Sequence, residues 1–143
     1  MVSKYRITTE IEQMDFDVIH EFLSNSYWAQ GIPKETLMNA MNNSLCFAVL
    51  FENNLVGFAR MITDKSTYAY LADVFILDPH RGKGLSKTLM DKIIDHPELQ
   101  GLRRMVLATR DAHGLYKKYG FTPLANPHTF MELWKPDVYQ DKN

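Results

Sequence analysis

Asp73-Val74-Phe75-Ile76-Leu77-Asp78-Pro79-His80-Arg81-Gly82-Lys83-Gly84-Leu85-Ser86-Lys87 reads as a strand that runs through a turn into a short loop and out into a helix. Val74 to Leu77 is apolar throughout, as in a strand covered on both faces. From residue 85 the period changes. Leu85, Leu89, Met90, Ile93 and Ile94 recur as one helical stripe, and Pro97 disfavours helical geometry at His96 and so ends it. The first turn of a helix holds backbone N–H groups without partners, at the positive end of its macrodipole. Gly82 and Gly84 carry no Cβ to hold an anion away from those groups, and Arg81, Lys83 and Lys87 add charge at the rim. The segment reads as a phosphate or diphosphate cradle, although glycines also suit any tight strand-to-helix turn. No frame provides a Walker loop, and Lys87 stands where a dinucleotide fingerprint needs a small residue.

Outward from this loop, the pattern predicts an α/β domain. Asp15 suits the N-cap of a helix over 16–26 with Phe16, Ile19 and Leu23 on one side. Pro33 suits the first turn of a second helix bearing Leu37, Met38 and Met41. Strands follow at 45–51 and 55–62 about a turn at Asn53-Asn54, since asparagine tolerates the positive φ of hairpin turns. A third strand covers 68–77. Beyond the 85–94 helix come a strand at 105–109, a short helix at 112–119 and a last strand at 129–134. That order implies a mixed sheet with helices on its faces, in one domain spanning 1–143.

Composition narrows the function. The 143 residues are 45% apolar and 23% charged, and 16 basic against 17 acidic side chains leave a net charge of −1. A nucleic-acid binder that works by neutralising phosphates needs a basic excess, so none is expected. No run approaches the roughly 18 apolar residues of a membrane span. Neither a leader at Met1-Val2-Ser3-Lys4-Tyr5-Arg6 nor a lipidation signal at Gln140-Asp141-Lys142-Asn143 is visible, and a cytoplasmic location is expected. The lone Cys46, within an apolar run, reads as a small buried hydrophobe. His20, His80, His96, His113 and His128 show no metal-ligand spacing, and no metal is expected. Asp73 interrupts an apolar strand. A buried carboxylate must be solvated, paired or catalytic, and the candidates are a general base or an ion pair with Arg60. Strand alternation turns it to the face opposite Val74 and Ile76.

Arg81-Gly82-Lys83-Gly84-Leu85-Ser86, after a strand and opening a helix, resembles the Gln/Arg-x-x-Gly-x-Gly/Ala signature of the GCN5-related N-acetyltransferases, with serine at the final small position. Ala112-His113-Gly114-Leu115-Tyr116-Lys117-Lys118-Tyr119-Gly120-Phe121 matches the same family's Ala-x-x-x-Tyr-x-x-x-Gly-Phe motif, in the expected order. The resemblance implies a splayed sheet and acetyl-CoA as co-substrate, with a primary amine, in a small molecule or peptide, as acceptor. The diphosphate would lie on the backbone from Arg81 to Ser86. The pantetheine arm would pair with the backbone of Val74, Phe75 and Ile76 as an added strand, and those N–H groups can also polarise the thioester carbonyl. Tyr116 falls at the family's general-acid position, and Asp73 is the candidate base. Thr109 stands where many members hold the cofactor with asparagine. Tyr27 and Trp28, in the loop between the first two helices, would wall the acceptor pocket. His113 is a secondary proton relay and Glu35 a candidate attractor for a cationic acceptor. A non-catalytic acyl-CoA-binding module is the competing function, and Trp134 and Tyr139 are apolar residues that suit a homodimer.

Overall fold

Seven consecutive apolar residues, Leu45 to Phe51, cannot turn a polar face to water, so the strand they form must be covered on both sides. The computed structural model describes residues 4–140. The readings that fall on 1–3 and 141–143 lie outside the described residues. In chain order the elements are β1 (Tyr5–Thr8), α1 (Phe16–Ser24), α2 (Lys34–Asn42), β2 (Leu45–Phe51), β3 (Asn54–Thr63), β4 (Tyr68–Ile76), α3 (Leu85–Ile94), β5 (Arg104–Leu107) and α4 (His113–Lys117). The sheet runs β1-β2-β3-β4-β5. Its first three pairings are antiparallel and β4–β5 is parallel, a pairing that needs a crossover, supplied by α3. One face carries Phe47, Met61 and Leu71 beneath Leu89, Met90 and Ile93 of α3. The other carries Leu50 and Phe58 beneath Ile19 and Leu23 of α1 and Leu37 and Met41 of α2.

Local chemistry explains most boundaries. Asp15 Oδ1 accepts from Val18 N–H at 3.2 Å and starts α1. The β2–β3 hairpin turns on Glu52-Asn53, both at positive φ, rather than on Asn53-Asn54, because Asn54 already pairs with Phe51. Two expectations are corrected. Residues 129–134 form no strand. Instead 127–129 make one 3-10 turn and the rest is irregular. β1, which was not anticipated, pairs Tyr5–Thr8 with β2.

The feature that shapes the site is a bulge in β4. Phe58 pairs with Phe75 but Arg60 pairs with Ala72, so Asp73 and Val74 together oppose Ala59. Asp73 takes φ +58, which aspartate tolerates better than branched residues. The extra residue resets the alternation. Leu71 faces the α3 core, whereas Phe75 faces the α1–α2 core, and Asp73 is turned to the latter side. Pairing of β4 with β5 covers only Tyr68 to Leu71, and beyond it the two strands part.

Sheet packing is tight where β3 passes this region. A Cβ on Gly57 would lie 2.7 Å from Ile76 Cδ1, 3.1 Å from Val49 Cγ2 and 3.2 Å from Phe75 O. Gly57→Ala is therefore expected to cost about 1–3 kcal/mol by overpacking. A urea midpoint equal to that of the parent would show that the sheet yields freely there.

Candidate active site

Where β4 and β5 diverge, a cavity of about 390 Å³ opens, lined among others by Tyr27, Trp28, Asp73, Val74, Arg110 and Tyr116. Residues far apart in sequence thus meet in one place. Asp73 is its single acidic lining residue and is held from two sides. Arg60 Nε donates to Oδ2 at 2.8 Å, and Trp28 Nε1 donates to Oδ1 at 2.8 Å. Arg60 Nη1 reaches on to Ser44 Oγ at 3.1 Å. The ion pair with Arg60 is one of the two roles expected for Asp73, and both of its side chains are largely buried, 15% and 7% exposed. The carboxylate also fixes the indole in the cavity wall, with the Tyr27 ring set edge-on to it at 5.0 Å. Phe22 stacks on Phe75 at 4.1 Å behind them.

Tyr116 comes from the second turn of a short helix and is 7% exposed. Phe121 meets its ring edge-on at 6.0 Å, and burial pushes the phenol above its ordinary range. It therefore carries its proton at any pH near neutral. Thr109 lines the same cavity, and its Oγ1 accepts the Ala112 N–H at 3.2 Å, tying the end of β5 to the start of α4. His113 is not among the residues lining this cavity and faces a separate hollow beside β5. Glu35 lies in the first turn of α2 and is also outside the lining.

Sequence reasoning missed Arg110 and Tyr70. Both line the cavity, and the Arg110 guanidinium sits 3.6 Å above the Tyr27 ring, a cation–π contact. Arg110 makes no ion pair among the described residues. No sequence spacing signals these contacts, which join the ends of distant elements.

The glycine loop lies at the other end of the opening. Gly82 and Gly84 have φ +77 and +78, and a Cβ on either would meet nothing within 4 Å. Their requirement is thus dihedral, with open space outside. Gly84 caps α3 without a side-chain hydrogen bond, and the first helical bond shown is Thr88 N–H to Gly84 O. The N–H groups of Leu85, Ser86 and Lys87 therefore remain available, as at any uncapped helix start. A hollow of about 250 Å³ is lined by Gly82, Gly84, Leu85 and Ser86. Arg81 is a strut here: Nε donates to Ile76 O at 2.7 Å and Nη1 pairs with Asp78. Lys87 pairs with Asp91 at 3.5 Å, which leaves Lys83 as the loop cation without an ion pair among the described residues.

Between the two ends runs an unpaired stretch of β4. Leu77 N–H bonds Val56 O, so by alternation Phe75 directs its backbone groups to β3 while Val74 and Ile76 direct theirs to the open side, where Arg81 already takes the Ile76 carbonyl. Uncapped amides lie past the C-terminal end of β4, and the open edge of β4 and the buried phenol adjoin the place where β4 and β5 part. Among the described residues no group of three or more His, Cys, Asp or Glu side chains could hold a metal ion, and no helix is long and apolar enough to cross a membrane.

Cys46 lies outside the site. Burial drives its thiol up to about 12, although the Arg60 charge pulls the other way. Native protein at pH 8 is expected to react with iodoacetamide far more slowly than urea-unfolded protein. Equal rates would mean that the strand opens readily.

Comparison with known proteins agrees with this geometry. Residues 10–121 match the Acetyltransferase (GNAT) family. A provisionally named acetyltransferase of Gibberella zeae is 32% identical over 137 positions, covering 80% of this chain and 76% of that protein. A crystal structure from Xanthomonas campestris pv. campestris, provisionally assigned to the same family, is 47% identical. It superimposes with a TM-score of 0.94, covering 96% of this chain and 97% of that one. A Clostridium acetobutylicum protein solved with acetyl-CoA shares the fold at 16% identity and a TM-score of 0.65, covering 90% and 94%.

Proposed function

This chain belongs to the acetyltransferase (GNAT) family, and from that premise we propose that it moves an acetyl group from acetyl-CoA to a primary amine in the cavity between β4 and β5. The observation that carries the reading is the alignment of three features along one opening. These are uncapped amides at 85–87, the free edge of β4 past Leu71 and the protonated Tyr116 phenol in the cavity wall.

Acetyl-CoA supplies an acetyl group activated as a thioester, whose transfer leaves a thiolate. Backbone N–H groups from Gly82 to Lys87 would hold its diphosphate, with Lys83 as the nearby cation. Val74 and Ile76 would bind the amide arm as a strand edge and polarise the thioester carbonyl with an N–H group. Thr109 would brace the opposite side of the opening. Tyr116 donates its phenolic proton to the departing sulfur. An alkylamine arrives as an ammonium at neutral pH. Asp73 is the acidic residue beside it and accepts its proton through water, while Arg60 Nε holds the carboxylate in place from the other side. Tyr27, Trp28 and Tyr70 give the acceptor an aromatic wall, and Arg110 adds a positive charge. That combination favours an amine that also carries an apolar or anionic portion. Residues 1–143 act as a single domain in this reading.

The test is a panel of small amines and of lysine-containing peptides, read as release of free thiol from acetyl-CoA. Amine-dependent release is expected. Binding of acetyl-CoA without release by any amine would leave a non-catalytic acyl-CoA-binding module instead.

A further inference from the structure

Two charged side chains line the cavity, Asp73 and Arg110, and they differ in what they leave for a ligand. Each Asp73 oxygen already accepts a bond at 2.8 Å, Oδ1 from the Trp28 indole and Oδ2 from Arg60, and Arg60 supplies the countercharge. Arg110 has no such partner. It forms no ion pair among the described residues, not even with its chain neighbour Asp111, and the contact that places it is the Tyr27 ring, 3.6 Å from the guanidinium. Stacking uses the flat face of a guanidinium, whereas its N–H donors point outward in the plane. The ring therefore holds the fork at the exposed rim of the cavity without consuming a donor. Tyr27 is itself set edge-on to Trp28. A chain of contacts thus runs from Asp73 through Trp28 and Tyr27 to Arg110, and it sets the two charges apart within one cavity.

We propose that the acceptor, in the acetyl-transfer reading on which this inference rests, is an amine that also bears a carboxylate, and that Arg110 binds that carboxylate while the amine lies toward Asp73. A planar fork of N–H donors matches a carboxylate in a two-bond geometry that an ammonium does not reproduce. The sign of the remaining charge agrees. With Asp73 countered by Arg60, Arg110 is the uncompensated charge in the lining, so an anion gains there and a second cation does not. The walls between the two ends come from Tyr27, Trp28, Tyr70 and Val74, and they suit the apolar skeleton of such a molecule. Amino acids with apolar side chains and short ω-amino acids have this chemistry. Simple alkylamines and polyamines lack the anion.

Binding tests this apart from catalysis. Trp134→Phe changes a residue that is 71% exposed and leaves Trp28 as the remaining one of two tryptophans, so its fluorescence reports filling of the cavity. In that background, with CoA present, phenylalanine is compared with phenylalaninamide and 4-aminobutyrate with 4-aminobutanamide. In at least one pair the acid is expected to bind about 10–100-fold tighter than its amide, as for a hydrogen bond to a charged group. Arg110→Gln is expected to bring that acid down to its amide and leave the amide's own affinity unchanged, whereas a general loosening of the wall would weaken both alike. Thiol release from acetyl-CoA should follow the same ratio in kcat/KM. Equal affinities within both pairs, a preference that survives Arg110→Gln, or no saturable signal with any of these ligands would overturn the proposal. Acid-selective binding without thiol release would keep Arg110 as a carboxylate site and count against acetyl transfer alone. Release that is equal for acids and amides would do the reverse.

Discussion

Arg60→Ala is expected to cost about 3–5 kcal/mol of folding stability, because it leaves the Asp73 carboxylate buried without its countercharge. The pair is short, at 2.8 Å, and mostly out of water. Replacing both partners together, as Arg60→Met/Asp73→Leu, removes the orphaned charge and is expected to cost less than Arg60→Ala alone. The double variant loses both the proposed base and the Trp28 anchor, so its kcat is expected to fall and its acceptor KM to rise. Denaturant midpoints measure the first effect and steady-state kinetics the second. An Arg60→Ala loss below about 1 kcal/mol would show that solvent reaches the pair more freely than its burial indicates.

Tyr116→Phe is expected to lower kcat by about 10²–10⁴, the usual contribution of a positioned proton donor. Affinity for acetyl-CoA should hardly move, because the substitution keeps the ring that packs against Phe121. The pH dependence has a definite sign. Burial raises the phenol above its ordinary value, so the donor form persists through neutral pH and is lost only as pH climbs past the raised value. The parent should therefore show an alkaline decline beyond that of an ordinary tyrosine, and the phenylalanine variant should lack that limb. Equal turnover in the two enzymes would remove the phenol from the mechanism.

What could be read from the chain beforehand follows the range of the forces involved. α3 has the predicted bounds because a helical stripe and a following Pro97 are local facts, and the same holds for β2. The glycine loop was legible because its dihedral need is set by two residues. Residues 129–134 have strand composition, but a strand exists only with a partner, and composition does not say where that partner is. The β4 bulge was illegible for a related reason. The alternation of residues 70–76 looks continuous, and only pairing with β3 shows the extra residue. The Asp73–Arg60 pair was anticipated from the cost of a buried charge. The Trp28 bond to Asp73 and the stacking of Arg110 on Tyr27 were not, since each joins elements that only the folded sheet brings together.

Calorimetric titration comparing CoA with pantetheine, which has the same arm but no diphosphate, tests the central claim most directly. Tight binding of CoA and much weaker binding of pantetheine are expected if the amides at 82–87 grip the diphosphate. Equal affinities, or no heat with either compound, would contradict it.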